Sequence, residues 1–314
     1  MLKVLLISIF LGLSSCGDNQ PIQTITGSTM GTSYTVKTIG LGVSKSQVEQ
    51  VLDQVNKTFS TWDKNSELSL LNQKPTHQWI EVSSELFFVL DQSQKIHQQA
   101  QGYFDPGMGR LIDAWGFGAV KVEQKPSRAQ VSELLPLSSI QYLQLNDGRV
   151  KKTRDIHINL SAIAKGFGVD QVASLLKKHQ VESFLVEIGG EVIASGKQKD
   201  RNWTLGIEQP NGTKPIAIVL SNQAIATSGN YRNYFMWEDV RYMHILTPSN
   251  GLPADTDLAS VSVLNEQTMV ADAYATAMMA MGSKKAAVLA EDLNLSVVLI
   301  LNQQHDFKVV KINP

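Results

Sequence analysis

The chain has 314 residues, of which 43% are hydrophobic and 18% are charged, and its formal net charge is −1. This composition supplies enough apolar material for a full core and argues against global disorder. The chain lacks the excess of basic residues that would indicate binding to nucleic acid. The single cysteine, Cys16, excludes an intramolecular disulfide and a zinc site built from several thiolates.

The first sixteen residues have the pattern of an export signal. Lys3 precedes a largely apolar stretch, 4–13, that would reach only about 15 Å as a helix, half of a bilayer core. The segment LSSCG around Cys16 resembles a bacterial lipobox, in which the cysteine is lipidated. We therefore predict a signal peptide over 1–15, lipidation of Cys16 and a polar tether over 16–26. An ordinary secretory signal with an incidental cysteine is the alternative.

The rest of the chain, 27–314, is predicted to form one domain in which helices and strands interleave. Periodicity predicts, in chain order, a strand over 33–38, helices over 44–59, 84–99, 128–135 and 164–179, strands over 184–188, 191–195, 203–208, 216–220 and 260–264, helices over 268–281 and 283–291, and strands over 296–302 and 308–312. Because the order lacks a strict βαβ period, an α+β fold with mixed sheets is favoured over a doubly wound sheet.

Standard nucleotide and hydrolase signatures are missing from the sequence. It contains no G-x-x-x-x-G-K-[ST], no G-x-G-x-x-G after a strand and no G-x-S-x-G. The six histidines are scattered without an H-x-x-x-H pair. A transition-metal site built on histidine is therefore poorly supported.

Asp272 and Thr276 lie four residues apart in a segment predicted to be helical, so they share one face. A carboxylate and a hydroxyl are hard oxygen ligands that suit Mg²⁺ better than zinc. The alternative is that Asp272 caps the helix or lies near its positive end. From the spacing alone this alternative is the more common case.

Lys165 and His244 are candidate catalytic residues. Lys165 is predicted to open a helix after a loop of small residues, and a helix start with a lysine suits a phosphate group. His244 precedes a Pro-Ser-Asn-Gly turn and would be a suitable general base near neutral pH. A surface lysine and a structural histidine are the alternatives.

Several aromatic residues could either stack on a flat ring system or pack in the core. They are Trp62, Tyr103 and Phe104, the last of which begins a Phe-Asp-Pro segment with glycines nearby. For a single aromatic residue, a core position is the more common outcome.

The order and joint occurrence of these motifs favour the functional interpretation. Residues 27–310 resemble the FAD:protein FMN transferase family, also called the ApbE family. The resemblance rests on eight segments, namely TMGTSY, FSTWDKNSELSLLN, GYFDPGMGRLIDAWGFG, NLSAIAKGFGVD, VEIGGEVIASG, AIATSGNY, HILTPSNGLP and ADAYATAMMAMG.

The resemblance implies a role for each matching position. The FAD pocket would be lined by Met30, Trp62, Tyr103, Phe104, Asp105, Asn159, Lys165 and Ile245. Mg²⁺ would be held by the backbone carbonyl of Ala162 and by Asp272 and Thr276, with Ala275 adjacent, and catalysis would involve His244 and Lys165. The chain departs from the family at Asn159, often Asp, at Thr247, often Asp or Asn, and at Trp62, commonly Tyr.

The resemblance also implies the reaction. FAD would be cleaved, FMN would be attached through a phosphoester to a threonine of a partner protein, and AMP would leave. The partner would be a flavin-carrying subunit of a sodium-pumping NADH:quinone oxidoreductase, an Rnf-type complex or a similar envelope system. We expect a periplasm-facing lipoprotein anchored to the inner membrane. Hydrolysis of FAD to FMN and AMP, and a non-catalytic flavin carrier, are the two alternatives.

Overall fold

A computed structural model describes residues 21–230, 234–237, 240–303 and 306–313. Cys16 and the predicted signal peptide lie outside the described residues. Within the described ranges, no helix combines the length and apolar character needed to span a bilayer.

The elements occur in the order that the sequence patterns predict, with several additions. The helices are α1 (Lys45–Phe59), α2 (Glu67–Gln73), α3 (Ser84–Gln99), α4 (Gly109–Ala114), α5 (Arg128–Leu134), α6 (Ser161–Lys178), α7 (Thr268–Met281) and α8 (Ser283–Asp292). The strands are β1 (Ile22–Thr29), β2 (Thr32–Ile39), β3 (Ile80–Glu81), β4 (Leu143–Asn146), β5 (Arg149–Lys152), β6 (Phe184–Ile188), β7 (Glu191–Ser195), β8 (Lys197–Gln198), β9 (Arg201–Ile207), β10 (Ile216–Leu220), β11 (Gln223–Gly229), β12 (Tyr234–Trp237), β13 (Val240–Met243), β14 (Leu246–Thr247), β15 (Leu252–Pro253), β16 (Leu258–Asn265), β17 (Ser296–Gln303) and β18 (Asp306–Ile312).

An eight-stranded antiparallel sheet forms the centre of the fold, in the order β1-β2-β6-β7-β11-β16-β17-β18. Successive side chains of a strand point to opposite faces, so each strand supplies two cores. On β6, Phe184, Val186 and Ile188 pack with α1 and α6, whereas Leu185 packs with β9 and β10 on the other face. The result is a layered α+β domain, which confirms the predicted fold class, although the strand pairs of the described sheets are antiparallel rather than mixed.

Helices α6 and α7 lie side by side against the central strands. Helix α6 contacts β6 and β7, and α7 contacts β11 and β16. Helix α3 packs on α7 through Leu86, Val89 and Leu90, which belong to the largest core. The two helices that carry the candidate lysine and the candidate metal ligands are therefore both fixed to the sheet.

Helix α6 begins one turn earlier than predicted. The sequence predicted a start at 164, but the helix begins at Ser161, so Lys165 lies inside it rather than at its opening. The side-chain Oδ1 of Asn159 accepts a hydrogen bond from Ser161 N at 2.9 Å. This bond satisfies one of the free N–H groups at the helix start, which explains why residues assigned to a loop are helical.

The strand order also contains elements that the sequence patterns missed. Residues 22–26, predicted as part of the tether, form the first half of β1 at the edge of the sheet. Strand β11, which lies between β7 and β16, was not predicted. A polar edge strand and a strand of small residues both lack the apolar alternation on which strand prediction depends.

The backbones of α6 and α7 meet at Gly166. A Cβ atom at this position would lie 2.5 Å from the Cα of Met269, a distance that only glycine allows. One turn further along α6, the carboxylate of Asp170 accepts hydrogen bonds from Thr268 N at 2.9 Å and Met269 N at 3.0 Å, which caps α7. Asp272 lies in the second turn of α7, so its assignment as the helix cap is wrong.

We predict that Gly166→Ala destabilises the protein, whereas Gly168→Ala on the same helix does not. Overpacking against the α7 backbone costs about 1–3 kcal/mol of unfolding free energy. A Cβ at Gly168 would meet the flexible end of Met30 at 2.9 Å and make an ordinary contact with Ile188 Cδ1 at 3.4 Å, and alanine adds up to about 1 kcal/mol of helix propensity. Chemical denaturation followed by circular dichroism compares the two variants, and equal shifts would contradict the close contact at Gly166.

Candidate active site

One cavity of about 880 Å³ collects the candidate residues. Its volume lies in the upper part of the range of about 300–1,000 Å³ that is usual for small-molecule sites. The wall includes every residue predicted to contact flavin or to act in catalysis, namely Met30, Trp62, Tyr103, Phe104, Asp105, Asn159, Lys165, His244 and Ile245. It also includes three of the four predicted metal ligands, Ala162, Asp272 and Thr276.

Trp62 and Tyr103 present aromatic surface to the cavity. Trp62 is 71% exposed, which rules out a core position for this side chain. Tyr103 is partly buried, with the ammonium of Lys285 lying 4.9 Å from its ring centre and hydrogen-bonded to its hydroxyl. An exposed tryptophan at a cavity rim is costly in water and is suited to cover a flat apolar ligand.

Met30 lies on the cavity wall in the two-residue turn between β1 and β2. Its φ of 49° and the φ of 73° at Gly31 place both residues in the left-handed region, as a tight hairpin turn requires. Positive φ is uncommon for residues other than glycine and is concentrated at functional sites. The turn fixes where the Met30 side chain enters the cavity.

Asp105 organises the loop before α4. Its Oδ1 accepts hydrogen bonds from Gly107 N at 2.8 Å and from Ile140 N at 2.7 Å, and its Oδ2 lies 3.5 Å from His97 Nδ1. Burial raises the pKa of the Asp105 carboxyl, partly offset by His97 and by these N–H groups. The neighbouring Phe104 is 2% exposed and belongs to the core. Asp105 and Phe104 therefore contribute to the cavity mainly by holding this part of its wall in place.

An ion pair on the cavity wall joins the candidate Lys165 to a buried acid, Glu191, that the sequence patterns did not identify. Lys165 Nζ is 2.6 Å from Glu191 Oε1, and Glu191 is 2% exposed. Its other oxygen, Oε2, is buried without a hydrogen-bond partner among the described residues. Glu191 is the first residue of β7, directly after the Gly189-Gly190 turn. The sequence offered one indication of this residue, namely an acid inside an apolar strand segment. Such an acid is unusual because charged residues are seldom fully buried.

Burial dominates the electrostatics of this cluster. It raises the pKa of Glu191 to about 8, because desolvation and the charge of Asp272 outweigh the attraction of Lys165. Burial also raises the pKa of Asp272, partly offset by Lys165 and by the N–H of Gly166. Burial acts to lower the pKa of Lys165, but the carboxylates of Glu191 and Asp272 raise it overall. Two buried acids thus share one lysine.

Asp272 and Thr276 lie on one face of α7, and the donor chemistry around them suits a hard cation. Asp272 Oδ2 accepts a hydrogen bond from Gly166 N at 3.2 Å, and the Thr276 hydroxyl is 3.3 Å from the Ser228 hydroxyl. The described part of the chain holds no cluster of three His, Cys, Asp or Glu residues, the set that a transition metal would favour. A buried carboxylate with hydroxyls and a carbonyl fits Mg²⁺.

Ala275, predicted to lie adjacent to the metal ligands, differs from the other positions of the predicted metal site. It is fully buried and does not line the cavity. The three ligand positions that do reach the cavity are on α7 and in the first turn of α6, so the contact between these helices sets their separation.

His244 lies between β13 and β14 and lines the same cavity. Its ring is edge-on to Phe117, with ring centres 6.4 Å apart. The next residue is fixed by a hydrogen bond from Ala254 N to Ile245 O at 2.9 Å. The structure therefore brings the predicted base into the cavity that contains Lys165 and Asp272.

The raised pKa of Glu191 predicts how stability depends on pH in metal-free protein. The pKa is about 8 in the folded chain and near 4.5 in the unfolded chain, so the folded state retains a proton that the unfolded state releases. The protonated Glu191 therefore contributes to the free energy of unfolding. This contribution is fully present below the pKa of the unfolded chain and is lost as pH rises through the pKa of the folded chain. We expect the melting temperature in EDTA to fall more steeply over this interval for wild type than for Glu191→Gln. Parallel calorimetric profiles would contradict the raised pKa.

Comparison with known proteins gives a consistent picture. A family model described as "ApbE family" matches residues 30–299. A protein of Haemophilus influenzae named FAD:protein FMN transferase is 34% identical, over 97% of this chain and 93% of its own. A protein of Vibrio cholerae with the same name is 33% identical, over 97% of this chain and 95% of its own.

Two solved structures have the same fold. The flavin transferase ApbE from Vibrio cholerae matches with a TM-score of 0.86 at 32% identity, covering 93% of this chain and 97% of that one. The apo form of the flavinyl transferase ApbE from Pseudomonas stutzeri matches with a TM-score of 0.87 at 31% identity, covering 93% and 95%. The similarity therefore covers whole domains rather than a shared motif.

Proposed function

Since this chain belongs to the ApbE family of FAD:protein FMN transferases, we propose that it uses Mg²⁺ to move the FMN half of FAD onto a threonine hydroxyl of a partner protein, with release of AMP. One observation carries the proposal. A single cavity combines exposed aromatic surface, a lysine and a buried carboxylate–hydroxyl pair on adjacent helices. These are the groups needed for a flat ring, a pyrophosphate and a hard cation.

The aromatic rim and the lysine divide the cavity between the two parts of FAD. Trp62 and Tyr103 would contact the isoalloxazine ring, because large aromatic faces favour stacking. Lys165, on the cavity wall, would contact the pyrophosphate, since its ammonium can pair with phosphate oxygens. Binding both ends holds the phosphorus in a fixed place relative to the attacking hydroxyl.

Mg²⁺ would be held by Asp272, by Thr276 and by the backbone carbonyl of Ala162. When bound, it supplies positive charge that offsets the charge of the pyrophosphate during displacement. The buried carboxylate of Asp272 supports this assignment, because a buried acid is stabilised by a cation. The Ser228 hydroxyl beside Thr276 would help to orient the Thr276 oxygen.

In the transfer step, the acceptor threonine oxygen forms a bond to the FMN-side phosphorus, and the bond from that phosphorus to the bridging oxygen breaks. AMP leaves with the bridging oxygen. The imidazole of His244 takes the proton of the threonine hydroxyl. Lys165 stabilises the negative charge that develops on the phosphate oxygens, so most of the acceleration comes from positioning and electrostatics.

The partner and the location are part of the same proposal. The acceptor would be a flavin-carrying subunit of an envelope redox complex, of the sodium-pumping NADH:quinone oxidoreductase or Rnf type. A lipid on Cys16 would anchor the enzyme to the inner membrane facing the periplasm, and the support for this is the lipobox-like segment LSSCG.

Labelling with an alkyne fatty acid in cells tests the anchor, since Cys16→Ser should abolish incorporation.

The transfer activity can be tested by intact-mass spectrometry of an acceptor domain mixed with FAD, Mg²⁺ and residues 17–314. We expect the acceptor to gain the mass of one FMN phosphoester, and to lose this gain when Mg²⁺ is chelated. Asp272→Asn should lower the rate by at least about 100-fold, because the charge that opposes the pyrophosphate is then poorly held. Asp292→Asn, at an exposed position on α8, is the matched control and should retain the rate.

Other outcomes of that assay identify the alternatives. FMN and AMP released beside an unmodified acceptor would indicate hydrolysis, and intact FAD after long incubation would indicate a carrier. A normal rate for Asp272→Asn would remove the metal assignment. An unchanged pH profile for His244→Ala would likewise remove His244 as the base.

A further inference from the structure

We infer that Glu191 is a positioning residue for the transfer reaction: it fixes the Lys165 ammonium against the cavity wall and limits how strongly the cavity attracts FAD before reaction. The inference rests on the proposed function, because it assumes that Lys165 contacts the pyrophosphate. It assigns a purpose to a buried acid that the proposed chemistry does not otherwise use.

Glu191 is held by the backbone on both sides. It is the first residue of β7, where it pairs with Ile188 across the β6–β7 hairpin. The next residue, Val192, pairs with Ile225 of β11 in the middle of the large sheet. A carboxylate on such a strand has little freedom to move. Its Oε1 lies 2.6 Å from Lys165 Nζ, as close as a strong charge-assisted hydrogen bond brings two such atoms.

Lys165 needs such a partner. A lysine side chain has up to about 2 kcal/mol of rotamer entropy and can place its ammonium in many positions. This one comes from the second turn of α6, and 32% of its side chain remains exposed. The fixed carboxylate therefore selects one position for a mobile charge that faces the ligand.

Stability alone does not explain an acid at this position. The neighbouring β7 residues Val192, Ile193 and Ala194 are apolar and buried, and an apolar residue at 191 would avoid the cost of desolvating a charge. One of the two oxygens of Glu191 has no hydrogen-bond partner among the described residues. A group that costs folding free energy and faces a ligand cavity is typical of a functional position.

The pairing has an electrostatic consequence for FAD. Once ionised, the carboxylate compensates the ammonium, so the cavity then attracts the pyrophosphate less strongly than a lysine without this partner would. Attraction that is equal for substrate and transition state does not raise the rate of the chemical step. A fixed ammonium can instead act on charge that develops during displacement. Glu191 thus weakens the binding of FAD and raises the rate of the transfer step.

Glu191→Gln tests this role, because glutamine keeps the shape and the acceptor oxygen but removes the charge. Assays at pH 9 keep the wild-type carboxylate ionised, since the pKa of Glu191 is about 8. We expect the Kd for FAD, measured by flavin fluorescence without acceptor, to fall by about 3- to 10-fold as one opposing charge is removed. The kcat for transfer should fall by about 10- to 100-fold, because a neutral amide oxygen holds the ammonium less firmly than the carboxylate does. Riboflavin, which has no phosphate, should bind equally to both proteins.

Two further variants test whether Glu191 acts through Lys165. In a Lys165→Met background, Glu191→Gln should change kcat by less than about twofold, because the residue on which it acts is absent. Glu191→Asp keeps the charge but shortens the side chain, so kcat should fall without tighter FAD binding. This variant also replaces the glutamine variant if that one does not fold, as judged by its melting temperature.

Glu182→Gln is the matched control. It removes the same charge just before β6, where the Glu182 side chain is exposed and does not line the cavity. We expect its kcat and its Kd for FAD to stay near the wild-type values.

The outcomes separate this inference from the proposed function. If wild type does not modify any acceptor, the proposed function fails, and the comparison of FAD with riboflavin binding still judges Glu191. If wild type transfers FMN, the inference is wrong when Glu191→Gln weakens FAD binding, when it leaves kcat unchanged, or when its full effect persists in the Lys165→Met background.

Discussion

The arrangement of the site depends on the close contact between the backbones of α6 and α7 at Gly166. Because no side chain separates the helices there, the N–H of Gly166 can donate to the buried carboxylate of Asp272. The preceding residue, Lys165, is directed to Glu191 on the sheet. One turn later, Asp170 caps α7 and holds its start against α6. The groups for phosphate and for cation are thus placed by one helix–helix contact rather than by flexible loops, which suits a reaction that relies on positioning.

This arrangement buries charged side chains at positions where apolar residues would make the fold more stable. Burial raises the pKa of both Asp272 and Glu191, so the cluster destabilises the folded chain when its acids are ionised. A cation beside Asp272 and a pyrophosphate beside Lys165 would offset these charges, and the ligands would therefore stabilise the protein as they bind. The surrounding framework is apolar and paired in long antiparallel ladders, which supplies the stability that the site lacks.

Much of the fold was predictable from the sequence, because helices such as α1 and α3 have a clear apolar period and serine caps at their starts. The predicted flavin, metal and catalytic residues, except Ala275, also meet in one cavity. The start of α6 was misplaced, since it depends on Asn159 satisfying a backbone N–H rather than on periodicity. Glu191 was missed for a related reason. An acid within an apolar strand indicated a buried charge, but its partner is a lysine 26 residues earlier in the chain. Only the packing of β7 against α6 shows that the two meet.

The most direct test of the account is an anomalous-scattering crystal structure of the protein with FAD and Mn²⁺, which substitutes for Mg²⁺ at oxygen sites. We predict one strong peak bound by the Asp272 carboxylate, the Thr276 hydroxyl and the Ala162 carbonyl, in contact with the pyrophosphate, while Lys165 remains paired with Glu191. The flavin ring should lie against Trp62 and Tyr103. A metal bound away from α7, or FAD lying with its pyrophosphate far from Lys165, would contradict the account.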